Sequence, residues 1–356
     1  MGTGAVKPAG SPELLTRLSD LSSEHGNDPL AESLLSLAAF VHTDLETVEL
    51  SLEQIERPGT VVGLSGRHLL ALAGKRLRPL CVALAARIGS GFNGAVLDLA
   101  VAVELVHNAT LLHDDVVDLS SQRRGATTAR SEYGNAASIF AGDWLLVEAL
   151  RRVHRSGIPG RLESLLSTIE EMIFAESLQL EHRGRLDSGR QVYFRVAEGK
   201  TAALFRWAMY SGGRAGGLDE EQCLALDSYG RHLGIAFQVT DDLLDLTGDT
   251  QVTGKALFTD LFEGKMTYPL ILALERDAEL HDLLAETLAE GPEATTSPAV
   301  YERVLASLHD TGAVDSCREL ASRRASEAID SLRVLPDRRA TRALATVAEA
   351  TVNRTR

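Results

Sequence analysis

The chain has 356 residues, 44% of them hydrophobic and 24% charged, with a formal net charge of −14. That is apolar material for a large core, and the acidic balance argues against a nucleic-acid partner, which calls for clustered Lys and Arg. Cys81, Cys223 and Cys317 are odd in number, far apart and form no CxxC pair, which argues against a disulfide framework or a zinc site.

Residues 1–27 are rich in Gly, Pro, Ser and charge and read as a mobile arm. The start lacks an apolar h-region, so no signal peptide is expected and a reduced, cytoplasmic setting fits. No uncharged apolar run reaches the roughly 18 residues of a membrane span, so no transmembrane segment is expected. From about Leu30 apolar residues recur at three- and four-residue spacing, as in "LAESLLSLAAFVHTDLETVELSLEQI". Residues 97–119 and 229–246 are apolar nearly all round, as buried helices are. Breakers separate the periodic blocks: "GSGFNG", "SGIPG", "SGGRAGG" and "EGPEATTSP". The pattern predicts one all-α domain, a single helical bundle over 28–356, without a repeat.

The segment "GKRLRP", Gly74 to Pro79, places three cations before the apolar "LCVALAARI". Cations at a helix start oppose the macrodipole, so an anion is expected there, held by Lys75, Arg76 or Arg78. A snorkelling surface cluster is the alternative. Next comes "LLHDDVVDLSSQRRG", and "DDVVD" at Asp114–Asp118 is echoed by "DDLLD" at Asp241–Asp245. Residues i and i+4 share a helix face, so Asp114 and Asp118 point together, as do Asp241 and Asp245. Desolvated carboxylates need compensation, and oxygen donors suit Mg²⁺, which bridges carboxylates to substrate phosphates. Two such motifs on apolar helices favour a metal over solvated helix ends. His107 extends the first stripe and Gln238 the second. Each is a candidate site residue or else a satisfied core polar group.

Arg123 and Arg124 follow the first motif and diverge in direction, so they can serve different anions. Further cationic segments read "EGKTAALF", "TGKALFTD" and "EGKMTYPL", carrying Lys200, Lys255 and Lys265. Lys200–Thr201 is no P-loop, since Phe194 stands where the first Gly would be. Carboxylates for Mg²⁺, cations near them and an apolar interior suit a substrate with a diphosphate head and a hydrocarbon tail.

In this order the motifs resemble those of the trans-polyprenyl diphosphate synthase family (E-isoprenyl type), most densely between Gly74 and Pro269. The resemblance implies an all-α isoprenoid-synthase fold, two aspartate-rich helices facing across a central apolar cavity, and a homodimer. It implies head-to-tail addition of isopentenyl diphosphate to an allylic prenyl diphosphate. Asp114, Asp118 and Asp241 would hold Mg²⁺, about three ions per site by that likeness. Arg123, Gln179, Lys200, Thr201, Gln238, Lys255 and Lys265 would bind the allylic diphosphate, with Lys200, Thr201 and Gln238 nearest the reacting carbons. Lys75, Arg78, His107 and Arg124 would bind isopentenyl diphosphate. Two departures stand out. Ala73-Gly74 replaces the family's Gly-Gly, and Phe258 stands where Gly is common after Lys255, which puts that loop's geometry in doubt.

The tail is expected to run along the first aspartate helix past Thr110, Ala109 and Val106. None is aromatic, whereas short-chain members carry Phe or Tyr at the first two positions. A long-chain product, about C30 to C50, is therefore expected, with geranylgeranyl (C20) diphosphate as the alternative. Met172, Phe174 and Leu178 are candidates for the floor, or else core. A class I terpene cyclase is disfavoured because DDLLD is not its second metal motif and because Lys75, Arg78 and Arg124 form a second basic cluster. A non-catalytic partner subunit tends to lose one aspartate motif, and this chain has both. A purely structural helical protein would bind neither Mg²⁺ nor diphosphate.

Overall fold

The computed structural model describes residues 11–24, 27–56, 59–72, 74–247, 258–290 and 297–353. Lys255 and Ala73 lie outside the described residues. The fold is all-α, as the periodicity predicts, and divides into two compact units.

The first unit comprises residues 1–165, 208–226 and 334–346. It carries α1 (Ser11–Glu24), α2 (Asp28–Glu53), α3 (Val61–Ala71), α4 (Leu77–Ile88), α5 (Gly94–Val117), a hairpin of β1 (Gln122–Arg123) and β2 (Ala126–Thr127), α6 (Ala129–Tyr133) and α7 (Asn135–Ser156). Residues 11–24, assigned by composition to the mobile arm, form a helix instead. Leu15 and Ser19 are buried, and Ser19 Oγ donates to Ala31 O of α2 at 2.9 Å.

Helix α5 is the core of this unit. Asn93 caps it, its side chain accepting from Val96 N at 3.1 Å. It is long and apolar enough by composition to cross a membrane, but 72% of that stretch is buried within the protein, as in a core helix. It packs along α7, and the two approach closely: a Cβ at Gly142 would lie 2.3 Å from His113 Nε2, and Ser138 Oγ donates to Leu112 O at 2.8 Å.

The second unit comprises residues 166–207, 227–333 and 347–356. It holds most of α8 (Arg161–Glu181), α9 (Arg190–Val196), a π-helical turn (Ala197–Ala202) and the start of α10 (Ala203–Ala215). It also holds most of α11 (Glu220–Thr247), then α12 (Thr259–Phe262), α13 (Tyr268–Arg276), α14 (Ala278–Glu290), α15 (Pro298–Asp310), α16 (Ala313–Ser331) and the end of α17 (Arg339–Asn353). Glycines let the π-turn nest between neighbours: a Cβ at Gly199 would sit 2.6 Å from Ala175 Cβ, and one at Gly234 2.4 Å from Ala202 Cα. Its core gathers Ile235, Val239, Leu243, Leu261, Ile271 and Leu280.

Candidate active site

In the first unit, α5 presents the stripe expected from its spacing. His107, Thr110, Leu111, Asp114 and Asp118 keep partial exposure, while Asn108, Ala109, Leu112 and Asp115 between them are buried. The second aspartate of the motif therefore turns inward. Asp115 Oδ1 accepts from Arg123 Nε at 2.7 Å. Burial pushes the Asp115 carboxyl up, and Arg123 opposes that shift.

The adjacent arginines diverge because they straddle a hairpin turn. Arg123 pairs with Ala126, and the two residues between, Arg124 (φ 53°) and Gly125 (φ 74°), both lie in the left-handed region, as a type I′ turn requires. Arg124 is thereby folded inward. Burial lowers its pKa, partly offset by Glu104. Around His107 stand Arg78, Arg124, Arg123 and Arg76. Burial and then these cations hold the imidazole well below its ordinary pKa, so it is neutral.

Arg76, one of the anion-binding candidates, is instead a structural pin. It caps α4 at φ 46° and is buried. Its guanidinium donates to Glu104 Oε1 at 2.6 Å and to Glu49 Oε1 at 2.7 Å. Burial alone would raise Glu104, yet Arg76, helped by Arg124 and Arg78, holds it below the usual carboxylate range. Lys75 is exposed and Arg78 partly buried on either side of this pin.

In the second unit, Lys200 and Thr201 sit on the π-turn, a rare local form often found at functional sites. Lys200 Nζ lies 2.5 Å from Glu176 Oε2 and donates to Gln179 Oε1 at 2.8 Å. Thr201 Oγ1 donates to Gln238 Oε1 at 2.6 Å, and Gln238 Nε2 donates to Asp242 Oδ1 at 2.7 Å. Tyr193 Oη donates to Asp242 Oδ2, also at 2.7 Å. Burial pushes Asp242 up to about 7, with Asp260 and Asp241 adding and Tyr193 and Gln238 opposing. Lys265 Nζ pairs with Glu263 at 2.5 Å. Gln179, Lys200, Gln238 and Lys265 line one cavity of about 120 Å³, together with His182, Asp242, Asp260 and the apolar Val192, Val196 and Ile271.

Asp241 is partly exposed, but Asp245 is buried and does other work. Its Oδ2 accepts from Asp260 N at 3.2 Å, which holds the start of α12, and its carbonyl accepts from Phe258 N. Phe258 occupies φ 60°, a conformation that suits Gly. Its ring is buried and stacks on Tyr301 at 4.1 Å, an anchor that offsets the strain.

In the first unit Asp114 and Asp118 offer hard oxygen donors on one partly exposed helical face, and in the second Asp241 offers its own. Among the described residues no three Asp, Glu, His or Cys side chains converge into a closed cage. Few protein ligands per ion is what Mg²⁺ accepts when waters and substrate phosphates supply the rest, so the donor set fits it.

Residues 61–304 match the polyprenyl synthetase family model. The chain belongs to the polyprenyl synthetase family. It is a prenyltransferase. Component 2 of heptaprenyl diphosphate synthase from Geobacillus stearothermophilus is 34% identical over 283 residues, 79% of this chain and 87% of that protein. Octaprenyl diphosphate synthase from Escherichia coli K12 is 36% identical over 268 residues, 75% and 82% of the two chains. The crystal structure of a polyprenyl synthase from Caulobacter crescentus CB15, complexed with calcium and isoprenyl diphosphate, superposes with a TM-score of 0.81 at 32% identity, covering 98% of each chain.

The candidate chain-length residues of this synthetase differ in exposure. Val106 and Ala109 have no exposed surface, so they wall no open channel. A helix that is apolar all round hides which small residue faces inward. Thr110 keeps exposure on the Asp114 stripe, and its Oγ1 donates to His107 O. Phe174 is 66% exposed and Met172 is buried.

Sequence reading missed Glu104, Glu49, Tyr193 and Glu176 as partners. The one available signal was Glu104 itself, a charge inside an apolar helix, which demands a buried counter-ion.

Proposed function

We propose that this synthetase uses Mg²⁺ to add isopentenyl diphosphate head-to-tail to an allylic diphosphate, giving a long trans-polyprenyl diphosphate of about C30 to C50. The observation that carries the reading is the α5 face, where Asp114 and Asp118 continue into a neutral His107 ringed by arginines.

Breaking the allylic C–O bond leaves an allylic cation and puts negative charge on diphosphate. Arg123, Lys200 and Lys265 neutralise that charge as it develops, and preplaced cations do so without reorganising. Glu176 and Gln179 preplace Lys200, and Glu263 preplaces Lys265. Asp114, Asp118 and Asp241 would hold Mg²⁺, which would supply further stabilisation of the diphosphate charge. Lys75, Arg78 and Arg124 hold the second diphosphate, and His107, being neutral, adds a hydrogen bond there. The alkene of isopentenyl diphosphate attacks the cation, and the lost proton passes to the leaving diphosphate. Gln238 and Thr201 present their joined polar groups beside the reacting carbons. No side-chain nucleophile is needed. Apolar surroundings keep water from quenching the cation.

The working form is a homodimer. Leu166, Ile173 and Leu180 are spaced seven apart on α8 and are each at least half exposed, with Phe174 beside them. A stripe at that spacing suits packing on a second copy. Lys255 joins the allylic site by the family motif.

The test combines Mg²⁺, labelled isopentenyl diphosphate and starters of about ten, fifteen or twenty carbons, with products sized by chromatography. Products longer than C20 are expected from the purified chain alone. A C20 limit overturns the chain length, and turnover that requires a second polypeptide overturns self-sufficiency.

A further inference from the structure

Tyr193 is seven residues from Lys200, outside every motif, and no step above uses its hydroxyl. Yet that side chain is buried at the edge of the cavity, and its hydroxyl ends on a carboxylate that is itself 2% exposed. Asp242 accepts from three different segments: Tyr193 Oη of α9 at 2.7 Å, Gln238 Nε2 one turn back on α11 at 2.7 Å, and Tyr268 N at the start of α13 at 3.4 Å. Those segments carry, respectively, Lys200 and Thr201 on the following π-turn, Gln238 itself, and Lys265 three residues before Tyr268.

The chain of bonds also fixes which way the Gln238 amide faces. Its Nε2 is held by Asp242, so its Oε1 is left to accept from Thr201. Flipping the amide would break both of these bonds, setting its oxygen against the Asp242 oxygen that now accepts from it, so the present orientation is favoured. Rings of Phe194 and Tyr268 pack 5.3 and 5.2 Å from Tyr193 and keep its hydroxyl aimed.

We propose that Tyr193 and Asp242 form a positioning pair that acts through its neighbours: it holds Gln238 and Thr201 in the one orientation that turnover uses. The proposal rests on the activity given above. Turnover by the unmodified chain in the same assay measures that activity itself, so the two fail separately.

The test is Tyr193→Phe, which keeps the ring and deletes the hydroxyl. Losing one buried hydrogen bond that aims the Gln238 amide is expected to lower kcat about tenfold or more. KM for isopentenyl diphosphate should stay within about twofold, since its cations belong to other segments. In a Gln238→Ala background the same change should lower kcat less than about twofold, because the group being positioned is gone. A crystal structure of Tyr193→Phe should show Gln238 swung off Thr201. Asp242→Asn, which keeps the volume but turns one acceptor into a donor, should reproduce the kcat loss. Equal losses from Tyr193→Phe in both backgrounds, an unchanged kcat, or an unmoved Gln238 overturns the proposal.

Discussion

Arg76→Met tests the buried pin under the first basic segment. The Arg76 and Glu104 side chains are 4% and 3% exposed and meet at 2.6 Å, whereas Glu49 is 27% exposed and can rehydrate. Removing the arginine strands Glu104 among apolar neighbours, and breaking one side of a buried pair costs about 3–5 kcal/mol. At roughly 2–4 °C per kcal/mol the melting midpoint should fall on the order of 10 °C. The pH dependence should invert. In the parent, Glu104 is held below its ordinary value, so its stabilisation is present above the unfolded pKa and is lost as pH falls through the folded one. In the variant burial raises the carboxyl, the native state binds more protons than the unfolded, and stability falls as pH rises. Adding Glu104→Leu should restore most of the loss, because no buried charge then remains. Thermal melts followed by circular dichroism from about pH 3 to about pH 8 check this, since the parent's arm lies below the ordinary glutamate value. A single variant melting within about 2 °C of the parent, or a double variant no better than the single, refutes the reasoning.

Asp114→Ala and Asp241→Ala should each keep the parent's melting midpoint within a few degrees, both sites being partly exposed, while turnover drops by several orders of magnitude. Steady-state kinetics beside a melt separates the two effects. Thr110→Phe should shorten the product by several isoprene units, whereas Ala109→Phe, at a position with no exposed surface, should chiefly destabilise by about 1–3 kcal/mol. Chromatography of products and urea unfolding distinguish them. His107 is held neutral while the unfolded chain's histidine titrates near 6.5, so the unfolded state takes up the proton as pH falls and stability drops below that point. The slope contributed is up to about 1.4 kcal/mol per pH unit, and His107→Asn should remove it from a plot of unfolding free energy against pH.

Helical periodicity made the all-α fold legible, and one-turn spacing correctly put His107, Asp114 and Asp118 on a shared exposed face. What stayed hidden depends on neighbours distant in sequence. Spacing alone gave Asp115 and Asp242 no purpose, because Arg123 and Tyr193 reach them through a turn and a separate helix. Arg76 looked like its flanking cations, and only Glu49 and Glu104 single it out. Gly-like geometry at Phe258 was the flagged irregularity, and it is tolerated because Tyr301, 43 residues away, receives the ring. The helix at Ser11–Glu24 was lost because its own serines and Pro12 run on from the Gly and Pro of the residues before it.

The π-turn from Ala197 to Ala202 has a consequence for how the protein tolerates length changes. Such a turn spends one surplus residue relative to an ordinary coil of the same height. Deleting a single residue there would let a regular spiral run from Arg190 to Ala215. The flanking coils would keep their phase, while the ammonium and hydroxyl at the turn's centre would be carried off their present bearings. Insertions and deletions of one residue, harmless in a surface loop, are here equivalent to erasing both side chains at once.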